Sequence, residues 1–272
     1  MSKIVEIEKK ENTIKTAQTC FAYSWHVDDT ELQKTIIRIY GLSQDNKNTC
    51  LIVENFTPYV YLELPDIVDW DTSKAQLVIS KLNELLKNNK AIGYKLMFKK
   101  RLYYAHLDTT GKRKLFPYLF CNFSHTEDIK QLGFKLRRPL TIPSIGTFTL
   151  KIHENNASPI LQLTSLRKIP TAGWINFVGR EMKGDLKTTH CDNEFLVKWK
   201  DLSPYESDEV PRPLLMGFDL EVNSSVPSSM PKSHRPDDRI FQCSCVFGRQ
   251  GAKPETYEKY ILTLFEPDPQ LL

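Results

Sequence analysis

The sequence predicts an α+β chain in two parts: a β-rich N-terminal domain with a ferredoxin-like layer, then a short meander of strands that no helix covers. Three observations predict it. Short runs of aromatic and β-branched residues recur through the first half of the chain, as strands require. Ala75, Val78, Leu82 and Leu85 recur at helical spacing behind the cap candidates Asp71, Thr72 and Ser73. From Thr57 onwards the order is strand, helix, strands, helix, strand, which sets helices on one face of an antiparallel sheet. At 272 residues the chain exceeds the usual size of one core, so two domains are expected.

Residues 1–19 are polar and read as a tail or a weakly held first strand, with order starting at Cys20. Phe21 to Val27 and Thr35 to Gly41 read as strands, closed by Gly41 and the polar turn from Ser43 to Asn48. His26 has no acidic or histidine neighbour at ligand spacing, which favours a strand histidine with a structural or exposed role. Cys50 to Val53 and Tyr59 to Leu64 follow as strands, the second alternating Tyr59, Tyr61 and Glu63 with Val60, Leu62 and Leu64. The amphipathic helix ends near Asn88 and Asn89. Strands are expected at Ala91 to Phe98, Arg101 to Leu107 and Lys114 to Phe123, then a short helix from Glu127 to Leu132 and a strand from Thr147 to His153. Residues 154–180 carry no regular period, Gly179 to Asn193 is loose and charged, and Phe195 to Trp199 is the last strand before a polar linker. The linker, 204–210, divides an N-terminal domain at 20–203 from a second domain at 211–272.

The composition is that of a globular protein, with 40% hydrophobic and 26% charged residues and a net charge of +4. No stretch is apolar for long enough to span a bilayer, and the charged start is unlike a signal peptide, so the reading is a chain of the cytosol or nucleus with no membrane partner. Six cysteines lack the C-x2-C spacing of a zinc site and read as reduced thiols. The mild basic excess is compatible with nucleic acid without arguing for it.

Two groups of residues carry chemistry. After Pro211-Arg212-Pro213, the apolar run from Leu214 to Val222 reads as a strand interrupted by Asp219 and Glu221. Period two puts both carboxylates on one side and Phe218, Leu220 and Val222 on the other. Adjacent like charges repel, so the pair either faces water at a strand end or shares a divalent metal, and spacing alone leaves both open. The second group is Lys99, Lys100 and Arg101 beside Tyr94, Tyr103 and Tyr104, with Lys112-Arg113-Lys114 nearby. Aromatic platforms flanked by cations bind single-stranded nucleic acid. Half-buried tyrosines and solvated turn lysines account for the same residues.

Phe218-Asp219-Leu220-Glu221 resembles the first exonuclease motif, F-D-[IL]-E, of family B DNA polymerases. Pro231, then Pro236-Asp237-Asp238-Arg239-Ile240-Phe241-Gln242-Cys243-Ser244, resembles that family's passage from a proline-containing loop into a D-x-I-x-Q-I-S strand. Leu166 to Ile175 is similar to the family's segment ahead of a conspicuous tryptophan, here Trp174, and the loop lengths look like those of large DNA viruses. The resemblance implies the N-terminal region of a replicative polymerase and the start of an RNase H-like 3'-5' exonuclease domain. It implies that Asp219 and Glu221 are catalytic and hold Mg2+ or Mn2+ as half of a two-metal site, and that primer-template DNA, single-stranded DNA, dNTPs and a processivity factor are partners. The family's remaining exonuclease and palm motifs are absent from this sequence, so the expectation is a piece of a larger enzyme, inactive by itself, with its two carboxylates exposed and under-satisfied.

Overall fold

The computed structural model describes residues 17–30, 34–87, 91–101 and 107–264, and they divide into two compact units between Asp208 and Glu209. The first unit opens with β1 (Ala17–Asp28), β2 (Ile36–Leu42), β3 (Asn48–Glu54) and β4 (Tyr59–Glu63), then α1 (Thr72–Leu86), β5 (Gly93–Lys99) and β6 (Phe116–Asn122). It continues with α2 (Thr126–Lys135), β7 (Leu140–Ile142), β8 (Gly146–Phe148), β9 (Lys151–His153), α3 (Pro159–Arg167), β10 (Gly173–Glu181) and β11 (Asn193–Pro204). The fold is mixed and strand-rich.

Five of these strands close into a barrel in the order β1-β10-β11-β3-β2. β11 pairs with β3 in parallel and the other neighbours are antiparallel. Alternate residues point inward, so Cys20, Ala22, Ile37, Ile39, Leu51, Val53, Ile175, Phe177 and Val197 fill one core. Where β1 bulges between Ala22 and Ser24, a side chain at Gly41 would lie 2.3 Å from the Phe21 carbonyl oxygen and 2.5 Å from Cys20 Sγ. Only glycine lets the two strands approach there.

Four strands form a separate antiparallel sheet in the order β5-β6-β4-β9. Asp71 caps α1 by accepting the Lys74 N–H at 2.7 Å, and the His125 ring caps α2 by accepting the Glu127 N–H at 3.0 Å. Val78 and Leu82 of α1 and Ile129 and Leu132 of α2 share a core with Val60, Leu62, Leu119 and Cys121. Both helices therefore cover the same face of the sheet. Burial of each such aliphatic side chain stabilises by about 1.5–3 kcal/mol. Helix α3 joins the two layers through Gln162, which is 2% exposed. Its Oε1 accepts the Tyr59 N–H at 3.2 Å, and its Nε2 donates to the Tyr59 carbonyl at 2.7 Å.

The structure departs from the sequence reading at several points. Ala17, Gln18 and Thr19 pair with Val178, Phe177 and Asn176 as part of β1, so the strand starts inside the expected tail. Residues 1–16, Asn88, Asn89 and most of the expected strand from Arg101 to Leu107 lie outside the described residues. The expected strand from Thr147 to His153 is two, β8 and β9, belonging to different sheets. Most of residues 154–180 are regular. They form α3, capped by Ser158 with Pro159 in its first turn, and then β10. β11 runs on through Ser203 and Pro204, which pair with Asn176 and Ile175, so the chain is still in the barrel at the start of the expected linker.

The second unit is an antiparallel meander, β12 (Leu214–Val222), β13 (Ile240–Arg249) and β14 (Glu258–Thr263), in that order. Every residue of β14, and all of β12 but Val222, is exposed. No helix among the described residues is long and apolar enough to cross a membrane.

Candidate functional site

β12 begins after two prolines that cannot donate to a ladder, and its edge is fixed by the Gln250 N–H on the Pro213 carbonyl at 3.0 Å. Asp219 lies opposite Ser244, and Glu221 opposite Gln242, while Phe218 and Leu220 face Cys245 and Cys243. Directly opposed residues share a face. One face of β12 and β13 therefore carries Asp219, Glu221, Ser244 and Gln242, and the other Phe218, Leu220 and the two thiols, whose sulfurs are 3.7 Å apart. A groove of about 780 Å³ along the thiol-bearing face is lined by Leu214, Cys245, Phe247, Tyr260 and Leu262. Hydrogen bonding to Cys245 is the leading cause that holds the Cys243 thiol above its ordinary pKa.

Both carboxylates are exposed. Asp219 Oδ1 accepts the N–H of its neighbour Leu220 at 3.0 Å, and Glu221 accepts no hydrogen bond among the described residues. Beside them, a Cβ at Gly217 would meet nothing within 4 Å, so the approach to Asp219 along this face is clear. The donor set suits a hard divalent ion, which Mg2+ sites often bind through one or two carboxylates and complete with water and phosphate oxygens. Among the described residues, no group of three or more histidine, cysteine or acidic side chains is arranged to hold a metal. The pair could offer two ligands, not a closed site.

The loop that follows Glu221 is organised by Asp238, which sequence reasoning noted only as part of a motif. Its side chain is 1% exposed. It accepts the Ser225 N–H and the Lys232 N–H, both at 2.7 Å, and the Ser225 hydroxyl, with Arg235 Nη1 at 3.6 Å. These donors, the Ser225 hydroxyl first, pull its pKa down to about 2. Asn223 N–H meets the Arg239 carbonyl at 3.0 Å, which ties the loop's two ends together at the β-bulge beside Glu221.

Of the sequence-predicted cations, Lys99 and Arg101 sit on the face of the four-stranded sheet opposite its helices. Lys99 Nζ lies 3.8 Å above the Tyr61 ring, and the Arg101 guanidinium 3.8 Å above Phe116. Arg101 also pairs with Glu63, which bonds His153 Nε2 at 2.7 Å. Lys100 is exposed. Tyr94 turns the other way, towards the helices, where its hydroxyl donates to Asn83 Oδ1 at 2.9 Å and burial pushes its pKa up to about 12. Tyr103 and Tyr104 lie outside the described residues. The aromatic cluster of this face is Tyr59, Tyr61 and Phe120, with ring centroids 5.3–5.7 Å apart, packed against the barrel core. Their alternation along β4 and β6 was the signal that could have found them. His26 is exposed.

The fold resembles that of part of a family B DNA polymerase. It superposes on the structure of the family B DNA polymerase from the hyperthermophilic archaeon Pyrobaculum calidifontis with a TM-score of 0.64 at 14% identity, over 90% of this chain and 26% of that one. Residues 150–270 match the family described as DNA polymerase family B, exonuclease domain. The chain is 36% identical over 269 residues to DNA polymerase 120R of Invertebrate iridescent virus 3 and 34% identical over 276 residues to DNA polymerase 037L of Invertebrate iridescent virus 6. It is also 27% identical over 261 residues to the DNA polymerase of Acanthamoeba polyphaga mimivirus. These matches show the likeness to viral family B DNA polymerases that the motifs carry. They cover 93%, 92% and 89% of this chain but 23%, 21% and 14% of the relatives, so the chain spans about a quarter of their length or less.

Proposed function

We propose that this chain is part of a DNA-directed DNA polymerase with 3'-5' proofreading exonuclease activity, and that Asp219 and Glu221 belong to the exonuclease site. The observation that carries this is the pair itself: two carboxylates on one open face of β12, Glu221 with no protein partner among the described residues, inside the segment that matches the exonuclease domain. Mg2+ or Mn2+ bound there would supply an activated water and neutralise charge on the leaving 3'-oxygen. The chain's own residues hold that position. Asp219 and Glu221 present acceptor-only oxygens, Gly217 keeps the approach free of side chains, and the Asp238 loop fixes the strand end at Glu221.

The partners follow from the same reading: primer-template and single-stranded DNA, dNTPs and a processivity factor, inside an infected cell, as the viral relatives' names support. In fold, we read the sheet β5-β6-β4-β9 as a ferredoxin-like layer, which its strand order and one-sided helices support, and β12 to β14 as strands of an RNase H-like sheet. The domains would then be 20–203, extended to Ala17 by β1, and 211–272, joined by 204–210. The competing reading, a binding module without catalysis that recruits nucleic acid through Lys99, Lys100 and Arg101, loses support because Lys99 and Arg101 are already engaged by Tyr61, Phe116 and Glu63.

The test is the full polymerase containing this chain. Asp219→Ala with Glu221→Ala should abolish release of nucleotides from a 3'-labelled single strand while leaving primer extension intact. Retention of 3'-5' degradation by the double variant would remove the pair from the site.

A further inference from the structure

A second groove lies in the first unit, between the exposed side of α2 and the turn after β9. It encloses about 350 Å³ and is lined by Lys130, Gly133, Phe134, Arg137, Asn155 and Asn156 among others, a volume at the lower end of small-ligand sites. Phe134 is 63% exposed, with the Arg137 guanidinium carbon 5.5 Å from its ring centroid. A large ring left open to water on a helix whose other face already fills a core is not needed for folding.

Charge and hydrogen-bonding capacity around the ring narrow what the groove can take. Lys135, Arg137, Arg138 and Lys151 are exposed and form no ion pair among the described residues, while Lys130 is held by Glu127 at 3.0 Å. Asn155 and Asn156 each carry an amide donor and acceptor with no partner among the described residues. Their turn is fixed by the Ala157 N–H on the Glu154 carbonyl at 3.0 Å. At Gly133, in the middle of α2, a Cβ would meet only Ile152 Cδ1, at 3.9 Å. Nothing in the packing requires glycine there, and its absent side chain leaves room beside Phe134.

We propose that this groove binds single-stranded DNA, with one base stacked on Phe134, its polar edge read by Asn155 and Asn156, and the flanking phosphates held by Arg137, Arg138 and Lys135. A flat apolar ring, adjacent amides and unpaired cations match the three parts of a nucleotide, whereas an acidic peptide would use the cations and leave ring and amides idle. The site is separate from Asp219 and Glu221 and does not depend on their role.

Fluorescence anisotropy of a labelled twelve-residue oligo-dT with the 272-residue chain tests it. Phe134→Ala should weaken binding about 10-fold, in the range of a lost base stack, and Phe134→Tyr should restore it. Gly133→Leu should weaken binding while the melting temperature holds or rises, because leucine favours the helix and fills the groove. Arg137→Gln with Arg138→Gln should lower the slope of log affinity against log salt by about 1.4, at about 0.7 per phosphate contact on a single strand. The proposal is overturned if Phe134→Ala and Gly133→Leu bind as the parent does, if affinity follows Lys99, Lys100 and Arg101 instead, or if poly-glutamate displaces the DNA equally from parent and Phe134→Ala.

Discussion

Replacing Gln162 with methionine tests how the helical layer and the barrel are joined. The side chain is buried, and its amide closes both main-chain groups of Tyr59, at 3.2 Å and 2.7 Å. Methionine keeps the length and loses both hydrogen bonds, leaving a buried N–H and a buried C=O facing a thioether. Each orphaned group costs about 1–3 kcal/mol, so the expected loss is about 2–6 kcal/mol. All four tryptophans, Trp25, Trp70, Trp174 and Trp199, belong to the first unit, so urea unfolding followed by tryptophan fluorescence reports that unit alone. The midpoint should fall with the slope unchanged. Gln162→Glu should be at least as damaging at neutral pH, because a carboxylate cannot donate to the Tyr59 carbonyl, and should recover part of the loss on acidification. A change below about 0.5 kcal/mol for methionine, the size of an ordinary surface substitution, would refute the reasoning.

Other outcomes follow from the two buried or covered carboxylates. Glu194 is fully buried and accepts the N–H and hydroxyl of both Thr188 and Thr189. Those bonds outweigh burial, the largest single influence and an opposing one, and hold its pKa below the ordinary carboxylate value. A depressed folded pKa gives stability that is complete above the unfolded value and is lost as pH falls through the folded one. Glu194→Ala should therefore cost about 2–3 kcal/mol at pH 7, less than the sum of its bonds because water reaches the exposed threonine loop, and the gap from the parent should narrow below pH 4. For Asp238 the folded value is about 2. The loop should stay closed down to about pH 3, and Asp238→Ala at neutral pH should raise tryptic cleavage after Lys232, measured by mass spectrometry, about 10-fold or more as the local opening cost falls.

Much of the fold is legible in the sequence where local signals and packing agree. β12 is bounded by Pro213 and carried by the apolar run from Leu214 to Phe218, and α1 by Asp71 and the spacing of Ala75, Val78 and Leu82. Helix α3 is hidden because its polarity is inverted. Gln162 and Thr164 are buried, while Leu161 and Leu166 are exposed. Closure of the barrel through parallel pairing of Asn193–Lys198 with Thr49–Glu54 rests on tertiary register that no local pattern records. The aromatic face is set by tertiary register too, and Tyr94 follows the half-buried alternative. Tyr94 lies in a strand rich in cations, but its parity points it at α1, and the stacking rings come from β4 and β6. At the site, alternation alone put Asp219 and Glu221 on one face. The clamp by Asp238 needed the structure, since its donors are backbone groups on a loop whose path the sequence does not specify.

Mn2+ binding by the 272-residue chain, followed by water proton relaxation, tests the role of Asp219 and Glu221 most directly. Two carboxylates without a third protein ligand should bind weakly and saturably, with a dissociation constant on the order of 1 mM. Asp219→Asn or Glu221→Gln should each remove that binding without shifting the tryptophan unfolding curve. Mn2+ binding unchanged in both variants would contradict the assignment of this pair to the metal site.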